Sequence, residues 1–249
     1  MVKVPLAYKQ NHIILKINKM KKLVIMLTTV VITGALFNSC KNESNKENTL
    51  QKPIAQVEEM SVVDATTSTI NNMQAAFKGE TTASAKYEAY SKKAEEEGHH
   101  EIAMLFHAAS LAENIHANNH KVVLEEAGQT VPEISPEFTV KSTKENLEDS
   151  VTGESYESNT MYPGFMVTAK AAKNEMAGMS LNYAYRTELK HLEMYKEALA
   201  ALGDNNDTSL PSVYYICPTC GNTYQTTTPK RCGISMTSAE KLIKITSLS

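Results

Sequence analysis

The chain has 249 residues, of which 42% are hydrophobic, and its formal net charge is −3. Residues 1–39 contain six of the 25 Lys and Arg side chains and none of the 28 Asp and Glu side chains, so residues 40–249 carry a formal charge of −9. This acidic balance argues against nucleic-acid binding, which needs a basic face to neutralise phosphates.

The N-terminus has the layout of a secretory signal peptide. Lysines precede an apolar run, residues 23–36, which ends in small residues shortly before Cys40. The run is too short to indicate a transmembrane helix as the first interpretation. Residues 1–39 are therefore predicted to be a signal peptide, in which 1–19 is an upstream extension if translation starts at Met20. An uncleaved N-terminal anchor is the alternative.

The three residues before Cys40, "FNS", resemble the end of a bacterial lipobox. Lipidation of Cys40 would make it the first residue of the mature protein and would attach an exported protein to the bacterial cell envelope, on the periplasmic or the surface side. Residues 40–68 are predicted to be a tether, because the sequence after Cys40 is polar and has no helical periodicity.

A helical bundle is predicted for residues 69–203. Apolar and small residues follow a three-and-four spacing over 70–94, which marks one face of a first helix. A short turn is predicted at 96–100. The second helix should then end near Gly128, which can adopt the left-handed conformation of a helix C-terminus.

The second half of the bundle starts with a proline-containing segment, residues 129–140, which predicts a long crossover rather than a tight hairpin. A capping box at 142–145 predicts the start of the third helix. "MYPG" at 161–164 should break or kink that helix, because proline disfavours helical geometry at the preceding residue. The fourth helix is predicted to begin soon after Phe165 and to end before a linker at 204–212.

Each predicted helix carries a carboxylate on its apolar face, where an unpaired charge is costly. The first and third helices carry lone carboxylates, and the second and fourth carry Glu and His at i, i+3, which project to the same side. The set is Glu80, Glu154, Glu113 with His116, and Glu188 with His191. It predicts a two-metal carboxylate site that favours iron or manganese over zinc. Glu157, one turn after Glu154, is a seventh candidate ligand.

The remaining histidines are predicted to lie outside this site. His120 follows His116 by one turn on the same face, but its place near the end of the helix favours partial exposure. His99, His100 and His107 fall in a turn or away from the apolar face, and surface positions are expected for them.

The C-terminal segment, residues 213–249, contains a Cys-x-x-Cys turn of the kind that lets two thiolates face one metal. Its cysteines are Cys217 and Cys220, and Cys232 follows, but Ser235 stands where a fourth thiolate is expected. Because a serine oxygen is a weaker ligand than a thiolate, this site is predicted to hold iron poorly or to carry zinc. A disulfide framework is the alternative, and three remaining cysteines fit it badly.

Taken together, these segments resemble the rubrerythrin family. The resemblance rests on "FKGETTASAKYEAYSKKAEEEG", "AENIHA", "GESYESNTMYPGF" and "ELKHLEMY", and it extends from about Asn72 to the C-terminus. It implies a mainly α fold, a ferritin-like four-helix bundle followed by a small rubredoxin-like module with β-structure and a metal knuckle. It also implies that the bundle binds two iron ions through Glu80, Glu113, Glu154, Glu157, Glu188 and His191.

By the same resemblance, His116 exchanges with Glu157 as the irons change redox state, and Tyr87 and Tyr162 bind ligand carboxylates. These four residues are the candidate catalytic residues. The implied activity is that of a non-haem di-iron peroxidase, which reduces hydrogen peroxide to water with electrons relayed from an unidentified donor through the rubredoxin-like module. A homodimer is also expected. The alternatives are a ferroxidase or iron-binding bundle with a non-redox module, and a metal-free interaction protein.

Overall fold

The computed structural model describes residues 61–248, so the predicted signal peptide, Cys40 and the tether up to residue 60 lie outside the described residues. The helices are α1 (Val62–Glu96), α2 (His100–Glu126), α3 (Thr143–Tyr156), α4 (Tyr162–Ala171) and α5 (Glu175–Gly203). The strands are β1 (Tyr214–Ile216), β2 (Thr223–Gln225) and β3 (Ile243–Ile245). Within residues 61–248, none of the helices combines the length and the apolar character needed to cross a membrane.

The first two helices form a closely packed pair joined by the predicted short turn. Gly98 adopts a φ of +86° in this turn, and Gly128 adopts a φ of +70° directly after α2. Both conformations are strained for residues with a Cβ atom. The predictions for the turn and for the end of the second helix are therefore confirmed.

α1 begins earlier than predicted. The tether was expected to continue to residue 68, but the helix starts at Val62. The Ser61 side chain accepts a hydrogen bond from the backbone N–H of Asp64, which satisfies one of the free donors at the helix N-terminus. The first turn of the helix is exposed, Val62 and Val63 included, so it adds no core-facing stripe for periodicity to detect.

The segment between α2 and α3 has no regular secondary structure. α2 packs on α1 and α5, and α3 packs mainly on α5. The segment therefore connects two helices that are not direct neighbours, as the predicted crossover requires. This arrangement is a ferritin-like four-helix bundle, and the expected fold class is confirmed.

α3 and α4 are joined by a π-helical turn, Glu157–Met161. The predicted capping box is present, since Ser142 and Glu145 bond each other's backbone N–H groups. The proline of "MYPG" does not end the helix but lies in the first turn of α4, where its missing N–H is tolerated after the wider turn.

The fourth bundle helix begins at Glu175, ten residues after the predicted start at Phe165. Lys173 adopts a φ of 54°, which ends the preceding helix, and the Asn174 side chain caps α5 by accepting from the N–H of Ala177. The residues after Phe165 instead continue α4. The prediction failed because the apolar pattern is helical on both sides of this break.

The C-terminal module, which we define as residues 213–248, is a three-stranded antiparallel sheet with the order β2-β1-β3. Its strand β1 contacts α2, and its strand β2 contacts α2 and α5. Tyr214, Ile216 and Ile245 belong to the same hydrophobic core as residues of α1, α2 and α5. The module is thus packed directly on the half of the bundle that carries the Glu–His pairs.

Candidate metal centre

Six of the predicted ligands come together inside the bundle. α1 and α3 supply one each, and α2 and α5 supply two each because residues at i, i+3 share a helix face. We call these six residues the carboxylate–histidine cluster: Glu80, Glu113, His116, Glu154, Glu188 and His191. Each is at most 2% exposed.

The cluster divides into two overlapping groups of potential ligands. In each group, one ligand atom per residue lies within 4.8 Å of every other. The first group is Glu80, Glu113, His116 and Glu188, and the second is Glu113, Glu154, Glu188 and His191. Two glutamates, Glu113 and Glu188, belong to both groups, so each could serve as a ligand to both ions.

The buried polar atoms of the cluster are arranged as metal ligands would be. Both carboxylate oxygens of Glu188 and one oxygen each of Glu80, Glu113 and Glu154 are buried without a hydrogen-bond partner, as is Nδ1 of His191. That Nδ1 lies 2.9 Å from Glu188 Oε2, but the two atoms do not have hydrogen-bond geometry. Unpartnered buried polar atoms are costly, and their convergence is explained by shared cations. Carboxylates with one imidazole per ion suit iron or manganese.

The C-terminal module orients both histidines from outside the bundle. His116 Nε2 donates to the backbone carbonyl of Cys220 over 3.1 Å. His191 Nε2 donates over 2.9 Å to the hydroxyl of Thr223, which itself donates to the carbonyl of Gly221. With the protons on Nε2, the Nδ1 lone pairs of both rings face the carboxylates and can bind metal.

Gly221 makes this close approach possible. Its φ is +74°, and a Cβ atom at this position would overlap the ring of His116 and lie 3.1 Å from the carbonyl oxygen of Ala112. A residue without a side chain is therefore required for the module to reach the histidine.

Two tyrosines hold carboxylates of the cluster. The Tyr87 hydroxyl donates to Glu154 Oε1 over 2.7 Å. The Tyr162 hydroxyl donates to Glu80 Oε1. Both tyrosines are buried. The structure thus places them where the resemblance expects them, each fixing the carboxylate of a helix that supplies only one ligand.

His120 is fully buried, so the prediction of partial exposure was wrong. Its Nδ1 accepts from the Ser180 hydroxyl over 2.8 Å, and its Nε2 lies 3.3 Å from the Tyr162 hydroxyl. α2 continues beyond His120, and α5 covers this face through Ser180. His120 therefore belongs to a hydrogen-bonded chain that ends on Glu80, and its spacing from His116 was the sequence signal for it.

The other three histidines of residues 61–248 lie away from the cluster, with exposed or partly exposed side chains. Each pairs with a carboxylate instead: His99 with Asp207, His100 with Glu95, and His107 with Glu88.

Glu157 lies at the edge of the site, outside both ligand groups. It is the first residue of the π-helical turn, and it is partly exposed. Among residues 61–248, its side chain forms no hydrogen bond and no ion pair. His116, in contrast, lies inside the cluster, with Nδ1 2.9 Å from both Glu113 and Glu188. Of the two residues expected to exchange, the structure therefore has the histidine in the ligand position.

The protein environment favours protonated carboxylates at three of these positions. Burial, reinforced by neighbouring carboxylates, raises the pKa of Glu80 and Glu154 well above the ordinary value of 4.5. Partial burial, together with the charges of Glu188 and Glu113, raises the pKa of Glu157 to about 8. Concentrated buried negative charge is the common origin of these shifts.

The pKa values of the two histidines of the cluster are also raised, but here burial and the carboxylates act in opposite directions. Burial disfavours their charged forms, but the carboxylates of Glu188 and Glu113 outweigh it. The pKa of His116 therefore lies well above the ordinary value, and that of His191 is raised to about 9. Without metal ions, the negative charge of the cluster is therefore balanced by bound protons.

Metal removal should make the stability of the protein depend on pH. Five groups of the bundle site have raised pKa values, and for each of them the folded state binds more protons than the unfolded state. They outnumber Cys217, Cys232 and His120, whose lowered pKa values have the opposite effect, so the free energy of unfolding of the metal-free protein should fall as pH rises from about 5 to about 9. Metal ions replace these protons, so the loaded protein should change much less. Urea unfolding of both forms at pH 5.5 and 8.5 measures this, and equal pH dependence would contradict it.

The three cysteines of the C-terminal module form a second candidate metal site. Cys217, Cys220 and Cys232 are buried, none is in a disulfide, and their sulfurs lie within 4.8 Å of one another. Ser235 occupies the fourth side, with its Oγ 3.1 Å from the sulfur of Cys217. A hydrogen bond from Cys220 lowers the pKa of the Cys217 thiol to about 4 against the effect of burial, so a thiolate is available to a metal.

Comparisons with known proteins agree with this geometry. The rubrerythrin family model matches residues 71–199. Nigerythrin of Nitratidesulfovibrio vulgaris is 36% identical over 169 residues, which cover 67% of this chain and 81% of that protein. Rubrerythrin-2 of Clostridium acetobutylicum is 31% identical over 165 residues, 66% of this chain and 88% of that protein. A structure of fully reduced, all-ferrous nigerythrin matches with a TM-score of 0.64 and 30% identity, over 71% of this chain and 86% of that one.

The family model matches more than half of the chain, and the matched residues contain all six members of the carboxylate–histidine cluster. The nigerythrin likeness extends over most of that protein's length. The chain therefore belongs to the rubrerythrin family.

Proposed function

We propose that this protein is a peroxidase that reduces hydrogen peroxide to water at a di-iron site in the carboxylate–histidine cluster. The observation that carries the proposal is the pair of overlapping ligand groups with unpartnered buried oxygens. Membership of the rubrerythrin family supports an iron-dependent oxidoreductase, and the related nigerythrin structure is described as all ferrous. Manganese would suit the same ligands.

The reaction consumes two electrons and two protons for each peroxide, and yields two waters. Two ferrous ions, when bound, supply one electron each. The residues of the chain hold these ions, keep bulk water away and position the ligands. Tyr87 and Tyr162 fix the lone carboxylates, and the module fixes the Nδ1 faces of His116 and His191.

Glu157 and His116 are the residues that we propose to change place during the redox cycle. Among the described residues, the side chain of Glu157 has no hydrogen-bond or ion-pair partner. Glu157 also lies on a π-helical turn, a feature frequent at functional sites. A carboxylate is the better ligand for the more highly charged ferric ion, and an imidazole suits the ferrous ion. Glu157 would therefore replace His116 as a ligand when the iron is oxidised, and His116 would return when it is reduced.

Electrons would return through the C-terminal module. The hydrogen bond from His116 to the carbonyl of Cys220 links a ligand of the bundle site to a residue of the thiol site. Because the module packs on its own bundle, a single chain contains this connection. The homodimer and the need for an external electron donor stay predictions.

Ser235 decides how well the thiol site can serve this relay. We expect Ser235→Cys to give a four-thiolate site, with iron that survives chelator treatment and with a stronger thiolate-to-iron absorbance than the parent. Ser238→Cys is the matched control, because the Ser238 hydroxyl faces Glu240 rather than the thiols. Iron retention and visible spectra of the three proteins measure the effect. Equal retention in the parent and Ser235→Cys would contradict a weakened parental site.

The alternative function is iron oxidation or sequestration by the bundle, with a structural module. Steady-state turnover separates the two. A peroxidase consumes peroxide repeatedly while a reductant is supplied and keeps a constant iron content. A ferroxidase consumes added ferrous iron and accumulates ferric product. Repeated peroxide consumption is expected, and iron accumulation without it would favour the alternative.

We also propose that the protein is exported and held at the bacterial cell envelope through a lipid on Cys40. This proposal is supported by the lysines, the apolar run and the small residues before that cysteine. An envelope position would place the bundle close to peroxide that arrives from outside the cell.

A further inference from the structure

A pocket of about 350 Å³ lies between α1 and the C-terminal end of α3. We call it the α1–α3 pocket. Its walls are formed by small residues on the two facing helices: Ala75, Gly79, Ala83 and Gly153. Lys78, Thr82 and Lys86 complete the lining on the α1 side.

The pocket reaches the edge of the metal centre through two residues. Glu157 lines it and, of the seven predicted bundle ligands, is the one that is not buried. Tyr87 also lines it, is only 2% exposed, and donates a hydrogen bond to Glu154. The pocket therefore ends on one candidate ligand and on the hydrogen-bond partner of another.

The size of the pocket suits a small polar molecule. A water molecule in the liquid takes up about 30 Å³, so the pocket has room for one hydrogen peroxide together with several waters. Any larger side chain at the glycines would occupy this space. The glycines have no role in a tight turn, since Gly79 and Gly153 lie within helices and have ordinary backbone angles.

We propose that the α1–α3 pocket is the route by which hydrogen peroxide reaches the metal centre, with Gly79, Ala83 and Gly153 keeping it open. This inference rests on the proposed peroxidase function and identifies the entry point for its substrate. Glu157 lines the route, and movement of its side chain would admit the oxidant to the ions.

The structure allows the route to be blocked without disturbing packed atoms. A Cβ atom added at Gly153 or at Gly79 meets no atom within 4 Å, so Gly153→Leu and Gly79→Leu extend into the pocket. Replacing glycine inside a helix also favours folding. Gly178→Leu is the matched control, because Gly178 lies within α5, has equally open surroundings and does not line the pocket.

Two rates should be measured by stopped flow on iron-loaded protein: oxidation of the reduced form by peroxide, and association of azide, a small ligand that tests access without turnover. Since a side chain in the path must be displaced, we expect both rates to fall about tenfold or more in Gly153→Leu and Gly79→Leu. Both rates should be unchanged in Gly178→Leu, and iron content should be equal throughout.

Parental rates in both blocked variants would overturn the proposed route. If peroxide oxidised none of the proteins, while azide association slowed only in the blocked variants, the route for small ligands would be supported and the peroxidase function overturned. Slower peroxide oxidation with unchanged azide association would also overturn the route, because the effect would then lie in the chemistry and not in access.

Discussion

Replacement of Glu188 by Gln should reduce the iron content of the bundle from two ions per chain to one or none. Glu188 belongs to both ligand groups, and its two oxygens lie 2.9 Å from Nδ1 of His116 and of His191. Gln keeps the shape but offers one neutral oxygen in place of two charged ones, so it cannot bind one cation through each oxygen. Since peroxide reduction needs both ions, we expect turnover to fall about 100-fold or more.

Glu193→Gln is the control for this prediction. Glu193 lies on the same helix, but its side chain is 66% exposed and pairs with Lys196 at the surface. It should keep both irons and full turnover. Glu188→Gln should also remain folded without metal, because it removes a buried charge, and circular dichroism can check this. Two irons and normal turnover in Glu188→Gln would exclude a bridging role.

Gly221→Ala should disrupt the contact between the C-terminal module and His116 of the bundle site. The new methyl group would overlap the His116 ring, and Gly221 also has a φ of +74° that alanine tolerates poorly. Strain and overlap together should lower the free energy of unfolding by about 2–5 kcal/mol. The hydrogen bond from His116 to Cys220 should be lost, so reduction of the bundle irons through the module should slow.

Gly128→Ala is the control that distinguishes steric overlap with His116 from the backbone strain of a positive φ. Gly128 has a φ of +70°, but a Cβ atom there meets nothing within 4 Å, so its replacement should cost only about 1–2 kcal/mol and leave electron transfer intact. Urea unfolding and the rate of iron reduction should be compared in both variants. Equal behaviour of the two would show that the contact with His116 has no special role.

The ligand set could be predicted from sequence because it follows helix geometry. Glu113 with His116 and Glu188 with His191 share a face through their i, i+3 spacing, and Glu80 and Glu154 interrupt apolar stripes. The structure brings these six residues together. The turn at Gly98 and the end of α2 at Gly128 were also predictable, because glycine marks positive φ in both places.

The features that sequence reasoning missed depend on contacts between distant segments. The burial of His120 depends on Ser180, which is 60 residues away. The contacts of the histidines with Cys220 and Thr223 depend on how the module docks on the bundle. No local periodicity encodes such contacts. The wider turn at Glu157 was also missed, since proline indicated only an interruption of some kind.

The proposed peroxidase activity can be tested by anaerobic titration of the fully reduced, iron-loaded protein with hydrogen peroxide. Two ferrous ions per chain supply two electrons, so the bundle should be oxidised by one peroxide per chain, without release of iron and faster than by dioxygen. Oxidation by dioxygen at an equal or higher rate, or no reaction with peroxide, would contradict the peroxidase account.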